Sequence, residues 1–230
     1  MKGSMKLTVL FIAVLLASSV KAQDCGYYSM LKGMVLGYQT LDAKGKLTGT
    51  VTTTCMDVVN TGNVVLFKLK SEYADGKNSN QSTREFAMKC EDGNFYMDMN
   101  SLIDPKSMES FNGMEVKVDA NDMVYPSSLS AGQTLPDANI TISAGTGGMS
   151  LMNMVVAITN RKVAGVESIT VPAGTFECYK ITYDMETKMM FKINTAVAEY
   201  VNMGVGNVKT ESFDKKGKIV STTLLSELRR

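Results

Sequence analysis

Beyond the first two dozen residues, apolar side chains recur at every second position in short blocks separated by turn-forming residues. Phe95, Met97 and Met99 alternate with Tyr96 and Asp98, Val116 and Val118 with Glu115 and Lys117, and Tyr179, Ile181, Tyr183 and Met185 with Lys180, Thr182 and Asp184. A period of two puts one face of a strand on a core and the other toward water or a second layer. Residues 50–59 are dominated by Thr and Val, which suit a pleated, half-buried surface. The blocks are punctuated by Asp42-Ala43-Lys44-Gly45, Asn60-Thr61-Gly62-Asn63, Asp75-Gly76, Asp92-Gly93, Asn121-Asp122, Gly145-Thr146-Gly147-Gly148, Pro172-Ala173-Gly174 and Lys215-Lys216-Gly217. These residues accept positive φ or preset a turn, so each punctuation predicts a strand reversal. The expected fold is all-β, a strongly curved antiparallel sheet or open β-barrel with at most one or two short helices.

Residues 102–111 alone invite a helix, capped by Ser101 and carrying Leu102, Ile103 and Phe111, and Pro105 limits it to a turn or two. Residues 125–137, with Pro126, Pro136 and little apolar periodicity, predict a long ordered connection, for which a plain crossover is the simplest account. Leu41-Asp42-Ala43-Lys44-Gly45-Lys46-Leu47 is echoed by Phe213-Asp214-Lys215-Lys216-Gly217-Lys218-Ile219. Recurrent hairpin chemistry accounts for the echo; the alternative is a pseudo-symmetric sheet with equivalent end hairpins.

The amino terminus changes the picture from a bare fold to an address. Lys2 and Lys6 precede an apolar run over residues 7–16, and small residues follow up to Ala22, the layout of a cleavable export signal too short to span a bilayer. The residues before Cys25 are Ala22-Gln23-Asp24 rather than a small apolar triplet, which favours cleavage before Gln23 over lipidation. Residues 1–22 are therefore expected to be a signal peptide and 23–230 one domain, with no transmembrane segment after cleavage. Cleavage removes Lys2, Lys6 and Lys21 from 24 basic side chains and none of the 23 acidic ones, leaving a slightly acidic chain without basic blocks. Such a surface excludes nucleic acid as an expected partner.

Export also changes the meaning of Cys25, Cys55, Cys90 and Cys178. Four cysteines in an oxidising compartment permit two disulfides in any of three pairings, and at least one is expected. Their wide spacing, with no C-x-x-C pair and no histidine, argues against a metal site. The chain holds no histidine and no tryptophan. Without imidazole there is no Ser-His-Asp or Cys-His machinery, and the acids at Glu91, Asp92, Asp98, Glu167, Glu177, Asp184 and Glu186 fall in turns or on polar strand faces. Gly145 to Gly148 precedes a strand-like segment rather than a helix and so lacks the context of a phosphate loop. Neither an enzyme nor a cofactor is expected. Asn80-Gln81-Ser82 and Asn139-Ile140-Thr141 are sequons that matter only in a eukaryotic secretory route.

Methionine is the unusual positive feature, 18 in all. Thioethers either fill an ordinary core that lacks Trp or line an adaptable apolar pocket, and their alternating strand positions favour the core filler. The pocket candidates are Met97, Met99, Met152, Met154, Tyr179, Ile181, Tyr183 and Met185.

Asn160-Arg161-Lys162-Val163, the run Glu167-Ser168-Ile169-Thr170-Val171-Pro172-Ala173-Gly174-Thr175-Phe176-Glu177-Cys178-Tyr179-Lys180-Ile181, and Glu199-Tyr200 leading to Gly204-Val205-Gly206-Asn207-Val208-Lys209-Thr210-Glu211 have a recognisable look together. With Pro126-Ser127-Ser128-Leu129 and Gly132-Gln133-Thr134-Leu135-Pro136-Asp137-Ala138, they resemble the TapB-like family of exported proteins, found mainly in Bacteroidetes. The resemblance implies a bacterial periplasmic or envelope location and a curved antiparallel sheet or open barrel, and it carries no catalytic set. The expectation is a non-enzymatic periplasmic domain whose bent sheet encloses an apolar, Met-rich concavity for a lipid or other hydrophobic small molecule. The alternative is a scaffold that binds another envelope protein through exposed strand edges or residues 125–137.

Overall fold

The computed structural model describes residues 25–99, 113–147 and 149–230; the export signal and the helix expected over 102–111 lie outside them. The described chain is all-β. One 13-stranded antiparallel sheet, nearly closed into a barrel, runs in the order β6-β8-β9-β10-β11-β12-β13-β1-β2-β3-β4-β5-β7. The strands are β1 (Val35–Asp42), β2 (Leu47–Thr61), β3 (Val64–Asp75), β4 (Gln81–Glu91), β5 (Asn94–Met97), β6 (Glu115–Asn121), β7 (Met123–Tyr125), β8 (Ala138–Thr146), β9 (Met149–Val171), β10 (Gly174–Lys188), β11 (Lys192–Asn202), β12 (Gly206–Phe213) and β13 (Ile219–Arg229). A single 3₁₀ turn, η1 (Gly26–Tyr28), precedes them.

The period-two pattern becomes burial as expected. Val65, Phe67 and Leu69 face the core from β3, and Ala138, Ile140, Ile142 and Ala144 from β8, with more exposed residues between them. Most turn signals mark reversals. The Asp42 and Asp214 turns share one pattern: the aspartate Oδ1 accepts backbone N–H groups from Lys44 and Lys46 in the first and from Lys216 and Lys218 in the second. These hairpins flank the β13–β1 pairing, so the echoed motifs are equivalent turns standing near each other in the sheet.

One turn signal behaves differently. At Asn121-Asp122 the chain does not reverse: β6 pairs with β8, β7 pairs with β5, and these two strands are the opposite margins of the sheet. The sheet therefore consists of two halves, β1–β5 with β7 and β8–β13 with β6. They are joined by the β1–β13 ladder and by the chain itself, which crosses from β6 to β7 and back from β7 to β8.

Residues 125–137 form the ordered connection expected. They are pinned along β9 by Gly132 N to Val163 O, Val163 N to Gln133 O and Leu135 N to Arg161 O, all 2.8–2.9 Å, and they bury Leu129 and Leu135. Cys25 and Cys90 form a disulfide that fastens η1 to β4. Cys55 and Cys178, counted among the disulfide candidates, are instead buried thiols. Burial raises both, Cys178 to about 11 with help from the Glu177 charge, so neither is a poised nucleophile.

Candidate functional site

Two places in this barrel depart from the rule that polar groups face water and apolar groups the core. The first is the interior, where two ionisable side chains, Arg161 and Glu199, are buried without touching each other. β9 carries a bulge opposite β10, where Lys162 pairs with Thr182 but Thr159 with Asp184, and Asn160 takes up the extra residue at φ 57°. Asn tolerates this left-handed conformation, and its Nδ2 donates to Asp184 Oδ2 at 2.8 Å. The bulge shifts the phase of alternation: Ile158 faces inward, then Arg161 and Val163, so the guanidinium is delivered to the core with no exposed surface. Arg161 Nη1 donates to Val124 O at 3.0 Å and Pro136 O at 2.8 Å, and its guanidinium lies 5.1 Å from the Tyr125 ring.

Glu199 enters from β11 within the buried run 197–201. It accepts hydrogen bonds from the Tyr125 hydroxyl, 3.0 and 2.9 Å from its two oxygens, and from the Tyr28 hydroxyl at 3.3 Å. Burial raises the Glu199 carboxyl above the ordinary range, opposed by the Tyr125 hydrogen bond and the Arg161 charge. Burial and the Glu199 charge likewise raise Tyr38 and Tyr183, and burial with neighbouring groups raises Tyr28 and Tyr125, so the phenols stay protonated donors.

Each partner is held by local geometry. Tyr28 stacks on Phe95, ring centroids 4.2 Å apart, and is packed against Gly206, whose added Cβ would come within 2.6 Å of the Tyr28 ring. Gly206 sits at φ 89°, so both its conformation and the close approach call for glycine. The resulting network ties β7 and η1 to β11 through Glu199 and ties β7 to β9 through Arg161. It is a polar fastening across the interior, at the side where the two sheet margins meet.

The second place is the outer face over β10 and β11. Two open grooves share Asp184 and Ala196, with volumes of about 340 and 580 Å³. Phe213, Tyr183 and Met185 contribute apolar lining, and Asn160, Lys180 and Lys215 polar groups. These volumes fall within the range of small-molecule sites.

The pocket candidates do not share one cavity of this kind. Met99 and Ile181 are fully buried in the core, and Met97, Met154, Tyr179, Tyr183 and Met185 pack against it. Met152 is half-buried beside them in β9. Their main role is thus the core filling that the alternating positions favoured; Tyr183 and Met185 alone also line the grooves described. In the sequence Arg161 and Glu199 stand only as parts of longer motifs. The signal that singles out Glu199 is a lone carboxylate inside Ala196-Val197-Ala198-Glu199-Tyr200-Val201; Arg161 depends on a bulge that no local pattern announces.

A profile of the DUF3108-like family matches residues 31–225. No protein with a curated description matches the sequence. A crystal structure of a protein from Bacteroides fragilis NCTC 9343, described as exported and of YmcC-like fold, aligns with a TM-score of 0.72 at 18% identity, covering 89% of this chain and 99% of that one. A crystal structure of a protein from Parabacteroides distasonis ATCC 8503, described as a lipoprotein, aligns with a TM-score of 0.72 at 25% identity, covering 90% of this chain and 100% of that one. The expected all-β barrel-like fold is thus shared with both. The TapB-like resemblance holds at a coarser level, a family of undefined function with exported proteins among its structural neighbours.

Proposed function

Because the chain belongs to the DUF3108-like family, we propose that it is exported to the bacterial envelope by a signal cleaved after Ala22 and there binds a hydrophobic small molecule without catalysis. The observation that carries this reading is the pair of confluent grooves over β10 and β11. Ala196 leaves space there, beside Phe213 and the charged groups at Asp184 and Lys180, over strands whose Tyr183 and Met185 pack against the core. An elongated ligand with one polar end fits such a trough better than a compact polar metabolite.

The non-catalytic part rests on access. Glu199 has the raised carboxyl a general acid needs, yet it is 3% exposed, sealed by Tyr28 and Tyr125, and lines neither groove. Native mass spectrometry of protein purified from its host envelope tests the reading. The expected result is a bound species that Ala196→Phe expels while the fold stays intact; a chain consistently free of ligand in the unaltered protein would sink it.

A scaffold role is the second reading, favoured by one observation. β6 is a margin of the sheet, and its Val116 and Val118 are each 39% exposed, so an added strand would gain both backbone pairing and side-chain contact. Crosslinking in cells separates the two, since a scaffold returns a protein partner at β6 and a carrier a small molecule at the groove.

A further inference from the structure

The β10–β11 hairpin ends in Lys188-Met189-Met190-Phe191-Lys192, and its apolar members are turned out to solvent. Met190 is 87% exposed, Phe191 78%, Ile193 61% and Met189 49%. In the adjoining β8–β9 hairpin, Met149 is 69% and Leu151 63% exposed. Isolated exposed apolar residues are ordinary, but a continuous run at a hairpin tip with a second run beside it marks an interaction surface.

Charge decides what this surface meets. Because the strands are antiparallel, alternate turns lie at the same end of the sheet, so the tips of β10–β11, β12–β13, β1–β2 and β8–β9 stand together. Residues 214–217 share a groove with residues 184–186 and 194–196, which fixes two of these tips side by side. Around the apolar tip this end presents Lys188 and Lys192, then Lys215, Lys216 and Lys218, then Lys44 and Lys46, all exposed. Against these seven lysines the same turns and strand ends set three acids, Asp42 and Asp214, which accept backbone N–H groups of their own loops, and Glu186, which pairs with Lys192, so this end remains net positive. An apolar tip flanked by ammonium groups matches a phospholipid surface, with acyl chains beneath anionic head groups.

We propose that the β10–β11 tip enters the interface of an anionic phospholipid bilayer, with Met190 and Phe191 reaching below the head groups and Lys188, Lys192 and the neighbouring turn lysines meeting the phosphates. A protein groove would take the apolar residues but gives no reason for the lysines gathered on the β12–β13 and β1–β2 turns beside them. Among the described residues no helix is long and apolar enough to cross a membrane. The inference does not depend on the groove over β10 and β11 being filled.

The absence of tryptophan from the chain makes a clean probe possible. Phe191→Trp, in protein purified from the envelope and checked by mass for its amino terminus, is expected to shift its emission to the blue with vesicles of phosphatidylethanolamine and phosphatidylglycerol. Lipids brominated on the acyl chain are expected to quench it. In co-sedimentation the Met190→Ser/Phe191→Ser pair is expected to lower vesicle partition at least about tenfold, and the Lys188→Gln/Lys192→Gln pair several-fold, with loss of salt sensitivity. Thermal unfolding of each variant serves as the folding control. An unshifted tryptophan, equal sedimentation of the Met190→Ser/Phe191→Ser variant, or equal binding to pure phosphatidylcholine would each overturn the proposal. So would a protein, rather than lipid, captured in cells by a photocrosslinker at position 190.

Discussion

The interior around Glu199 and the tip around Phe191 break the same rule in opposite directions. In the first, a carboxylate and a guanidinium occupy space that apolar side chains would fill; in the second, apolar side chains occupy a tip that charges would solvate. The first anomaly is held from several sides: two tyrosine hydroxyls on Glu199, two carbonyls on Arg161 Nη1, the Tyr125 ring against the guanidinium, whose Nε and Nη2 have no hydrogen-bond partner, and a disulfide behind η1. At the tip, Met189 N reaches Phe191 O at 3.2 Å within the turn itself while the side chains stand out in solvent. A misplaced residue with many partners serves the fold, and one whose side chain faces only solvent awaits something outside it.

That division can be broken by measurement. The largest effect is expected from Glu199→Ala, which strips the buried Tyr28 and Tyr125 hydroxyls of their acceptor, leaves a cavity and removes the nearby negative charge felt by Arg161. Urea denaturation is expected to show a loss of about 3–5 kcal/mol, from two buried donors left without an acceptor and the space left behind. Replacing Cys25 and Cys90 together by Ser frees η1 from β4, and a loss of about 2–5 kcal/mol is expected, matched by the unaltered protein under reductant. Gly206→Ala drives a methyl into the Tyr28 ring at a positive φ, and a fall of about 1–3 kcal/mol in the same assay is expected.

A titration gives the next contrast. The folded Glu199 carboxyl is raised above its unfolded value, so the native state holds its proton longer. Stability is therefore highest below the unfolded pKa and falls as pH rises toward the folded one, by about 1.4 kcal/mol per unit of separation. Glu199→Gln is expected to flatten that descent in urea midpoints taken from acid to neutral pH. The smallest effect belongs to the other region: Met190→Ser with Phe191→Ser is expected to change stability by no more than about 0.5 kcal/mol. A tip variant as damaging as Glu199→Ala would show that the hairpin is structural after all.

The strands and most turns were legible because alternation and Gly, Asp and Asn punctuation are local signals. Asp42-Ala43-Lys44-Gly45 and its echo at Asp214 announce their hairpins within a few residues. What stayed hidden is set by distance along the chain. Asn121-Asp122 has the look of any other turn, and only the pairing of β6 with β8 and of β7 with β5 makes it a crossing between sheet margins. Arg161 reaches the interior because Asn160 absorbs an extra residue, a matter of register with Asp184 more than twenty residues away. The tip was in plain view as Met189 and Met190, but a methionine count cannot separate core from surface.

The two half-sheets also bear on how the chain comes to its native state. β1 can pair with β2 as soon as both exist, but its other edge waits for β13, which follows every other strand in the sequence. Until then the N-terminal half presents an open strand rich in backbone hydrogen-bonding groups, and the β12 edge of the other half does the same. Contacts of such long sequence separation are slow to form, and unpaired edges invite association with other chains. A chain halted before Ile219 would hold nearly all of its core residues and still expose two adhesive margins, so the final hairpin acts as the step that closes them on each other.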